Sequence, residues 1–227
     1  MKAIQATTKS SDGIISRYLN RRISIYISKF FLRVYPEISP TTISFFCFFL
    51  ALIGGSLFFF SLPFLGGIII QLSSIIDGCD GEIARIKKKS SKTGAFLDSV
   101  LDRYADCFIL IMVILYLQVH WSFPDLLPLM LVVGLLAIVG SMLISYTAAK
   151  STLLRSCEFN RTIEGRDFRY FVLMIGGIAA FFWYFSLFIT LLYLACITNI
   201  KVIQRVYHIR KQISQNKKDQ LYEPIKH

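Results

Sequence analysis

The sequence predicts an all-α integral membrane protein with six transmembrane helices, preceded by an amphipathic helix that lies in the membrane interface. Of its 227 residues, 55% are hydrophobic, the mean hydropathy is +0.58 and 20 are phenylalanine. A soluble core of this size does not need so much apolar surface. Several apolar runs are about twenty residues long, the length that spans a hydrocarbon core of about 30 Å.

The segment before the first long apolar run is polar and basic. From Ile14 to Tyr35, apolar residues recur at spacings of three and four among basic ones. This pattern predicts a helix whose basic face points toward anionic headgroups. We therefore divide the chain into a polar tail (1–13), the interfacial helix (14–36), a six-span domain (37–208) and a basic cytoplasmic tail (209–227).

The six spans are separated by connections that differ sharply in charge. Four clusters, one at each end of the chain and two in the connections 85–92 and 150–169, hold 24 of the 25 Lys and Arg residues. Six spans with both termini in the cytoplasm place all four clusters on one side, as the positive-inside tendency expects. The distribution of the basic residues thus explains the net charge of +11 by membrane topology, and it argues against nucleic-acid binding. The predicted spans are about 41–62, 68–86, 94–118, 126–149, 168–182 and 186–206.

Four carboxylates lie at the predicted cytoplasmic ends of spans two and three. Asp77 and Asp80 are three residues apart, and Asp98 and Asp102 are four apart. Both spacings put each pair on one helical face. The short link between the spans predicts antiparallel neighbours, so the four carboxylates should converge just inside the cytoplasmic boundary. Ionised groups in a membrane normally face a cavity or a partner and mark function.

Such a cluster is suited to divalent cations. Four carboxylates repel one another without cations, and Mg²⁺ and Mn²⁺ prefer oxygen ligands and often bridge phosphates. Two ions a few Å apart could clamp a pyrophosphate and neutralise its leaving oxygen. Small residues nearby would let a nucleotide approach the backbone, and an arginine could meet a phosphate. These residues are Gly78, Gly81, Ala84, Arg85 and Gly94.

The spacing of these residues resembles the signature of the CDP-alcohol phosphotransferase family, D-x2-D-G-x2-A-R-x8-G-x3-D-x3-D. The matching residues are Asp77, Asp80, Gly81, Ala84, Arg85, Gly94, Asp98 and Asp102. The resemblance implies a six-helix fold, usually homodimeric, with a cytosol-facing polar cavity. It also implies attack of an acceptor hydroxyl on the β-phosphorus of a CDP-alcohol, with CMP leaving.

The resemblance further implies a role for each motif residue. The metal ligands would be Asp77, Asp80 and Asp98. Asp102 would be the general base, since a carboxylate held ionised beside the acceptor hydroxyl can take its proton. It would also contact metal. The nucleotide contacts would be Asp77, Gly81, Ala84, Arg85 and Gly94.

Two further segments resemble one branch of this family. DGIISRYLNRRIS, with Asp12, Arg17, Asn20 and Arg21, and the later GRDFR of 165–169 are similar to members that make di-myo-inositol phosphate phosphate. This implies CDP-inositol as donor and inositol phosphate as acceptor; the alternative is a CDP-diacylglycerol donor that gives a phospholipid.

The opening of the first span departs from the family pattern. SPTTIS at 39–44 resembles the family's Pro-Asn-x-x-Thr, with Thr41 in place of Asn and Ser44 in place of Thr. These two departures leave open whether the turn contacts the nucleotide.

Several charged residues near the predicted site have two interpretations. Lys150, Arg166 and Arg169 either bind the phosphate of the acceptor, since arginine recognises phosphate bidentately, or only follow the positive-inside tendency. Asp106 continues the face of Asp102 and either pairs with Arg103 or belongs to the site.

Two other classes of protein could carry the four aspartates. A divalent-cation transporter could line its pathway with carboxylates, but it would need polar groups through the midplane of the membrane. A scaffold without chemistry could use the aspartates in ion pairs with Arg85 and Arg103. The expected partners of the enzyme are the CDP-alcohol, a polar alcohol phosphate, membrane lipid and a second copy of the chain.

Overall fold

The computed structural model describes Ile15 and residues 20–87, 91–153 and 165–222. The regular structure within these ranges is helical throughout, and no strand occurs in them. The helices are α1 (Arg21–Val34), α2 (Pro40–Phe59), α3 (Pro63–Ile86), α4 (Lys92–His120), α5 (Leu127–Leu153), α6 (Arg166–Ala180) and α7 (Ser186–Tyr222), with a 3-10 turn at Pro124–Leu126.

The helix boundaries follow local signals in the sequence. Pro40 and Pro63 occupy the first positions of α2 and α3, where the fixed φ of proline suits a helix start. The Ser91 side chain accepts a hydrogen bond of 3.0 Å from the Gly94 amide and caps α4. The predicted spans agree with α2 to α6 to within about five residues, and the largest difference is that α3 begins at Pro63, before the predicted start at 68. Helix α7 continues into the predicted tail as far as Tyr222.

Four helices of the described chain are long and apolar enough to cross a membrane. The all-helical prediction is confirmed, whereas six spans remain a prediction, because α6 has only 15 residues and α4 begins with the aspartate pair. The four candidate spans are Pro40–Phe59, Pro63–Ile86, Pro124–Ser151 and Ser186–Ser214.

Helix α2 forms the centre of the site-bearing half of the molecule. It packs against both α3 and α4, whereas α3 and α4 scarcely touch each other. The two aspartate helices, predicted to be antiparallel neighbours, therefore do not pack closely against each other along their length. A Cβ on Gly54 of α2 would lie 2.9 Å from the Ile70 amide nitrogen of α3, so the absence of a side chain allows this close approach.

Helix α3 packs on its other sides against α1 and α6, and α5 packs mainly against α7. A Cβ on Gly67 would lie 3.0 Å from the Cα of Met174, which shows how closely α3 and α6 approach. The larger apolar core includes Phe58, Ile109 and Leu191. A smaller one around Cys79 lies under the site-bearing end of α3.

Helix α1 turns a polar face inward, contrary to prediction. Arg21, Ser24 and Ser28 are buried against Glu82 of α3. A buried carboxylate needs hydrogen-bond donors, which explains why this face turns inward. The predicted outward position of Arg21 is therefore wrong. The exposed residues of α1 are both basic and apolar: Arg22, Lys29, Arg33, Ile23, Tyr26, Phe30 and Val34. Asp12 and Arg17 lie outside the described residues.

Candidate active site

Three carboxylates converge where α3 and α4 approach the start of α6. Asp77 lies on α3, and Asp98 and Asp102 lie one turn apart on α4. One carboxylate oxygen from each lies within 4.8 Å of one from each of the others. The convergence that the spacing predicted for four carboxylates therefore occurs for three of them. It takes place between two helices that both pack against α2.

The fourth carboxylate, Asp80, is held by α2. Ser44 Oγ donates a hydrogen bond of 2.6 Å to Asp80 Oδ2, and Ser44 is only 6% exposed. Asp80 lies three residues after Asp77 on α3, so the two carboxylates are at the same end of that helix. The serine that replaces the family threonine thus supplies a hydroxyl that orients one of the four carboxylates.

Arg166 joins the two aspartate helices electrostatically. It is the first residue of α6, and its two terminal nitrogens pair with Asp77 and with Asp102. The ring of Tyr170, one turn later, lies 5.5 Å from the guanidinium carbon. A planar guanidinium can bridge two carboxylates in this way, whereas an ammonium is a point charge.

A second layer of ion pairs lies beneath Asp102. Asp106 is 2% exposed; Arg169 Nη2 lies 2.5 Å from its Oδ2, and Arg103 Nη2 lies 3.6 Å from the same oxygen. Arg103 also lies 3.6 Å from Asp102. The ion-pair interpretation of Asp106 is thus the one that the structure shows. Arg169, predicted to contact acceptor phosphate, is buried against Asp106.

The residues predicted to contact the nucleotide lie on the same end of α3 and α4. The space beside Gly81 is open except for Arg85. Among the described residues, and leaving aside the backbone of the same helix turn, a Cβ on Gly81 would have only Arg85 Nη1 within 4 Å, at 3.5 Å. Arg85 Nη2 is buried and has no hydrogen-bond partner among the described residues. Ala84 lies half-buried in the same turn. A ligand phosphate would satisfy that nitrogen.

Two glycines differ in what surrounds them. A Cβ on Gly94 would lie 2.9 Å from Ser91 Oγ and 4.0 Å from Thr41 Oγ1, so Gly94 faces the turn that opens α2. A Cβ on Gly78 would instead meet Ser24 of α1 at 3.5 Å. The expectation that Gly78 clears space for a nucleotide is therefore wrong, because Gly78 faces α1.

The donor set fits a hard divalent cation. All of the convergent donors are carboxylate oxygens, which Mg²⁺ and Mn²⁺ prefer. The guanidinium of Arg166 brings one positive charge to Asp77 and Asp102, so a group of four carboxylates retains an excess of negative charge. Lys150, the third predicted acceptor residue, is exposed near the end of α5.

Sequence reasoning missed the buried polar contacts of α1. Glu82 Oε1 accepts hydrogen bonds from Arg21 Nη1 at 3.0 Å and Ser24 Oγ at 2.7 Å, and its Oε2 accepts one from Ser28 Oγ at 2.6 Å. The signal was present: Ser24 and Ser28 are spaced for one face of a helix, and Glu82 is a carboxylate within an apolar span.

Comparison with known proteins identifies the family. Residues 37–207 match the sequence model of the CDP-alcohol phosphatidyltransferase family. The bifunctional IPC transferase and DIPP synthase of Aquifex aeolicus is 35% identical over 208 residues, which are 88% of this chain and 45% of that protein. The Thermococcus kodakarensis protein of the same name is also 35% identical, over 93% of this chain and 48% of its own length. The chain thus spans less than half of these relatives.

A shorter relative and a solved structure extend the comparison. The archaetidylinositol phosphate synthase of Pyrococcus horikoshii is 29% identical over 78% of this chain and 86% of its own length. The crystal structure of Mycobacterium tuberculosis phosphatidylinositol phosphate synthase (PgsA1) with CDP-DAG bound has a TM-score of 0.70. It is 23% identical and covers 83% of this chain and 94% of its own, a likeness that shows the fold. With its several apolar helices, the chain is an integral membrane protein, and it belongs to the CDP-alcohol phosphatidyltransferase family.

Proposed function

We propose that this chain transfers a phosphoalcohol group from a CDP-alcohol to an acceptor hydroxyl, with release of CMP, in a reaction that requires divalent metal. The observation that carries the proposal is the convergence of Asp77, Asp98 and Asp102 within 4.8 Å. Family membership supports the same reaction class. The membrane location fits a site at the end of apolar helices.

The substrates proposed first are CDP-inositol and inositol phosphate, which would give di-myo-inositol phosphate phosphate. The two bifunctional relatives, whose names include DIPP synthase, support this choice. A CDP-diacylglycerol-type donor is the second candidate. It is supported by the archaetidylinositol phosphate synthase and by the structure with CDP-DAG bound.

Asp77, Asp80, Asp98 and Asp102 would together hold Mg²⁺ or Mn²⁺, as two ions. When bound, the metal would neutralise the pyrophosphate of the donor and stabilise the leaving phosphate. Ser44 would keep Asp80 in its orientation through the hydrogen bond of 2.6 Å. The same group of carboxylates would thus be shared between metal binding and the chemical step.

Asp102 would accept the proton of the acceptor hydroxyl. Its side chain is 18% exposed, so a substrate can reach it, and the guanidinium groups of Arg103 and Arg166 lie beside it. A carboxylate that stays ionised next to the hydroxyl can take the proton as the oxygen attacks phosphorus. The residue would therefore act both as base and as part of the metal-binding group.

The nucleotide would lie along the exposed turn of α3 and the start of α4. Gly81 and Gly94 leave room for its approach, together with Ala84, and Asp77 would contact it from the metal side. Arg85 would direct its unpartnered Nη2 to a phosphate oxygen, because a buried guanidinium nitrogen is stabilised by such an acceptor.

The phosphate of the acceptor would be bound by cationic side chains at the start of α6. Arg166 is first among them, because its guanidinium already lies at Asp77 and Asp102. Arg169, which pairs with Asp106, would add a second positive charge to this phosphate site. Lys150, at the end of α5, would add a third. An anionic substrate would replace carboxylate oxygens as the partner of Arg166.

The arrangement in the membrane follows from the charge clusters. We propose six spans with both termini and the site on the cytoplasmic side, because that arrangement places 24 of the 25 Lys and Arg residues in cytoplasmic segments. The predicted homodimer belongs to the same proposal.

The proposal is tested by measuring CMP release from purified protein with Mg²⁺ or Mn²⁺. CDP-inositol and CDP-diacylglycerol are each supplied with and without inositol phosphate. Release of CMP from CDP-inositol only when inositol phosphate is present supports the first choice; release only from CDP-diacylglycerol supports the second. No release from either donor, combined with metal flux into proteoliposomes, would replace the transferase by a cation transporter.

A further inference from the structure

A chain of hydrogen bonds connects the start of α1 to the start of α6 through α3. Gln71 Nε2 donates to Asn20 Oδ1 at 3.0 Å, and Asn20 Nδ2 donates to Ser74 Oγ at 3.2 Å. Ser74 Oγ donates in turn to Asp167 Oδ1 at 2.9 Å. Three helices that are far apart in the sequence are thus joined by side chains of complementary polarity.

Three of the four members of this chain are almost completely buried, and Asp167 is half-buried. Asn20 and Gln71 are each 3% exposed, and Ser74 is 2% exposed. A buried polar group without a hydrogen-bond partner destabilises the folded state. Each hydrogen bond in the chain therefore favours the side-chain positions in which the next hydrogen bond also forms. The direction of donation runs along the chain and ends at the carboxylate of Asp167. Because this last acceptor is a carboxylate, the hydrogen bond that Ser74 donates to it is stronger than one to a neutral group.

This chain supplies one of the side-chain contacts that hold the start of α6. Gly165 precedes the helix and supplies no side-chain cap, whereas Asp167 lies in the first turn. The Ser74 hydroxyl therefore fixes the first turn of α6 from outside the helix. Arg166, the residue before Asp167, is the one that reaches both Asp77 and Asp102.

The position of Asn20 is fixed by its neighbour in the sequence. Arg21 Nη1 lies 3.0 Å from Glu82 Oε1 and 3.4 Å from the carbonyl oxygen of Gly78. These two contacts dock α1 onto the turn of α3 that also carries Asp80. Helix α1 is consequently attached to the site-bearing end of α3 by buried polar groups as well as by apolar packing.

We propose that Asn20 is a positioning residue for Arg166. Through Ser74 and Asp167 it fixes the first turn of α6, so that the guanidinium of Arg166 meets Asp77 and Asp102. Helix α1 is then a structural part of the active site as well as a helix with a membrane-facing surface. The kinetic consequence of this inference rests on the proposed function, whereas the placement of Arg166 does not.

The first test needs no substrate and measures Mn²⁺ binding to the full chain by calorimetry. Arg166 competes with a cation for Asp77 and Asp102, so Arg166→Ala should tighten Mn²⁺ binding. Asn20→Ala should tighten it in the same direction, by about 3- to 10-fold, as expected for coupled neighbours. In the Arg166→Ala background, Asn20→Ala should have no further effect. An equal effect of Asn20→Ala with and without Arg166 would overturn the proposal.

Two further variants separate positioning from folding. Asn20→Asp keeps the size of the side chain but removes the amide that donates to Ser74. Ser74 should then donate to the carboxylate of residue 20 and not to Asp167, so this variant should tighten Mn²⁺ binding as Asn20→Ala does. Ser74→Ala breaks the chain at its next link and should give the same Mn²⁺ shift. Arg22→Ala, on the exposed face of α1, is the matched control and should leave Mn²⁺ binding unchanged. Wild-type Mn²⁺ affinity in both Asn20→Asp and Ser74→Ala would contradict the inference.

The second test uses steady-state CMP release. Asn20→Ala should raise the KM for inositol phosphate several-fold and change kcat less, because Arg166 is proposed to bind the acceptor. A loss of kcat alone, with an unchanged KM, would contradict positioning through Arg166. If the wild type releases no CMP with any donor, the proposed function fails, and the Mn²⁺ measurements still decide the inference.

Discussion

Ser44 of α2 donates a hydrogen bond of 2.6 Å to Asp80 of α3. This contact makes α2 a structural part of the candidate site, although α2 carries no acidic residue. Helices α3 and α4 both pack against α2, which explains how they can present their carboxylates to one another without packing closely together. A group that orients a metal-binding carboxylate is expected to influence metal affinity.

Ser44→Ala is predicted to weaken Mn²⁺ binding about 10-fold, the lower end of the effect found when a partner of a metal ligand is removed. Asp80 would lose the hydroxyl that fixes its Oδ2. Ser44→Thr keeps a hydroxyl and should retain most of the affinity. The measurement is calorimetric titration, with Thr42→Ala on the exposed side of α2 as control. Equal Mn²⁺ affinity in Ser44→Ala and wild type would exclude this role.

Asp106→Ala is predicted to destabilise the protein by about 3–5 kcal/mol, because it removes the buried carboxylate that pairs with the buried Arg169. Arg169 is 4% exposed and would lose the carboxylate that lies 2.5 Å away. Thermal unfolding in detergent measures the effect. Arg103→Ala is the comparison: its side chain is 31% exposed and 3.6 Å from Asp106, so its loss should cost less. A melting temperature equal to that of the wild type would show that Asp106 is not needed for stability.

Arg166→Lys is predicted to raise the KM for inositol phosphate by about 10- to 100-fold, the equivalent of one hydrogen bond to a charged group. Lysine keeps the charge but cannot present two nitrogens in one plane. CMP release at varied inositol phosphate checks this. Lys150→Ala, at the exposed end of α5, should raise the same KM less. A larger effect of Lys150→Ala would move the acceptor site away from the start of α6.

Much of the fold followed from the sequence because its signals are local. The apolar runs predicted α2 to α6 to within about five residues. The spacing of the aspartates predicted which carboxylates share a helical face. These features depend on residues a few positions apart, which is the range over which periodicity carries information.

The contacts between helices were harder to predict. The partner of Asp80 lies 36 residues away, and that of Asp167 lies 93 residues away. The inward polar face of α1 depends on Glu82 as its partner, which no local pattern in α1 reveals. Gly78 appeared to clear space for a nucleotide, yet it accommodates Ser24. Each of these outcomes was decided by which helices pack together.

The convergent aspartates are central to the proposed chemistry, and Asp102→Asn tests that most directly. The change keeps the size of the side chain but removes the charge that would accept the proton. With CDP-inositol, inositol phosphate and Mn²⁺, CMP release should fall by about 10²- to 10⁴-fold, the range of a general base. The protein should still be folded, and Asp125→Asn, in an exposed connection, should be fully active. CMP release by folded Asp102→Asn at the wild-type rate would contradict the assignment.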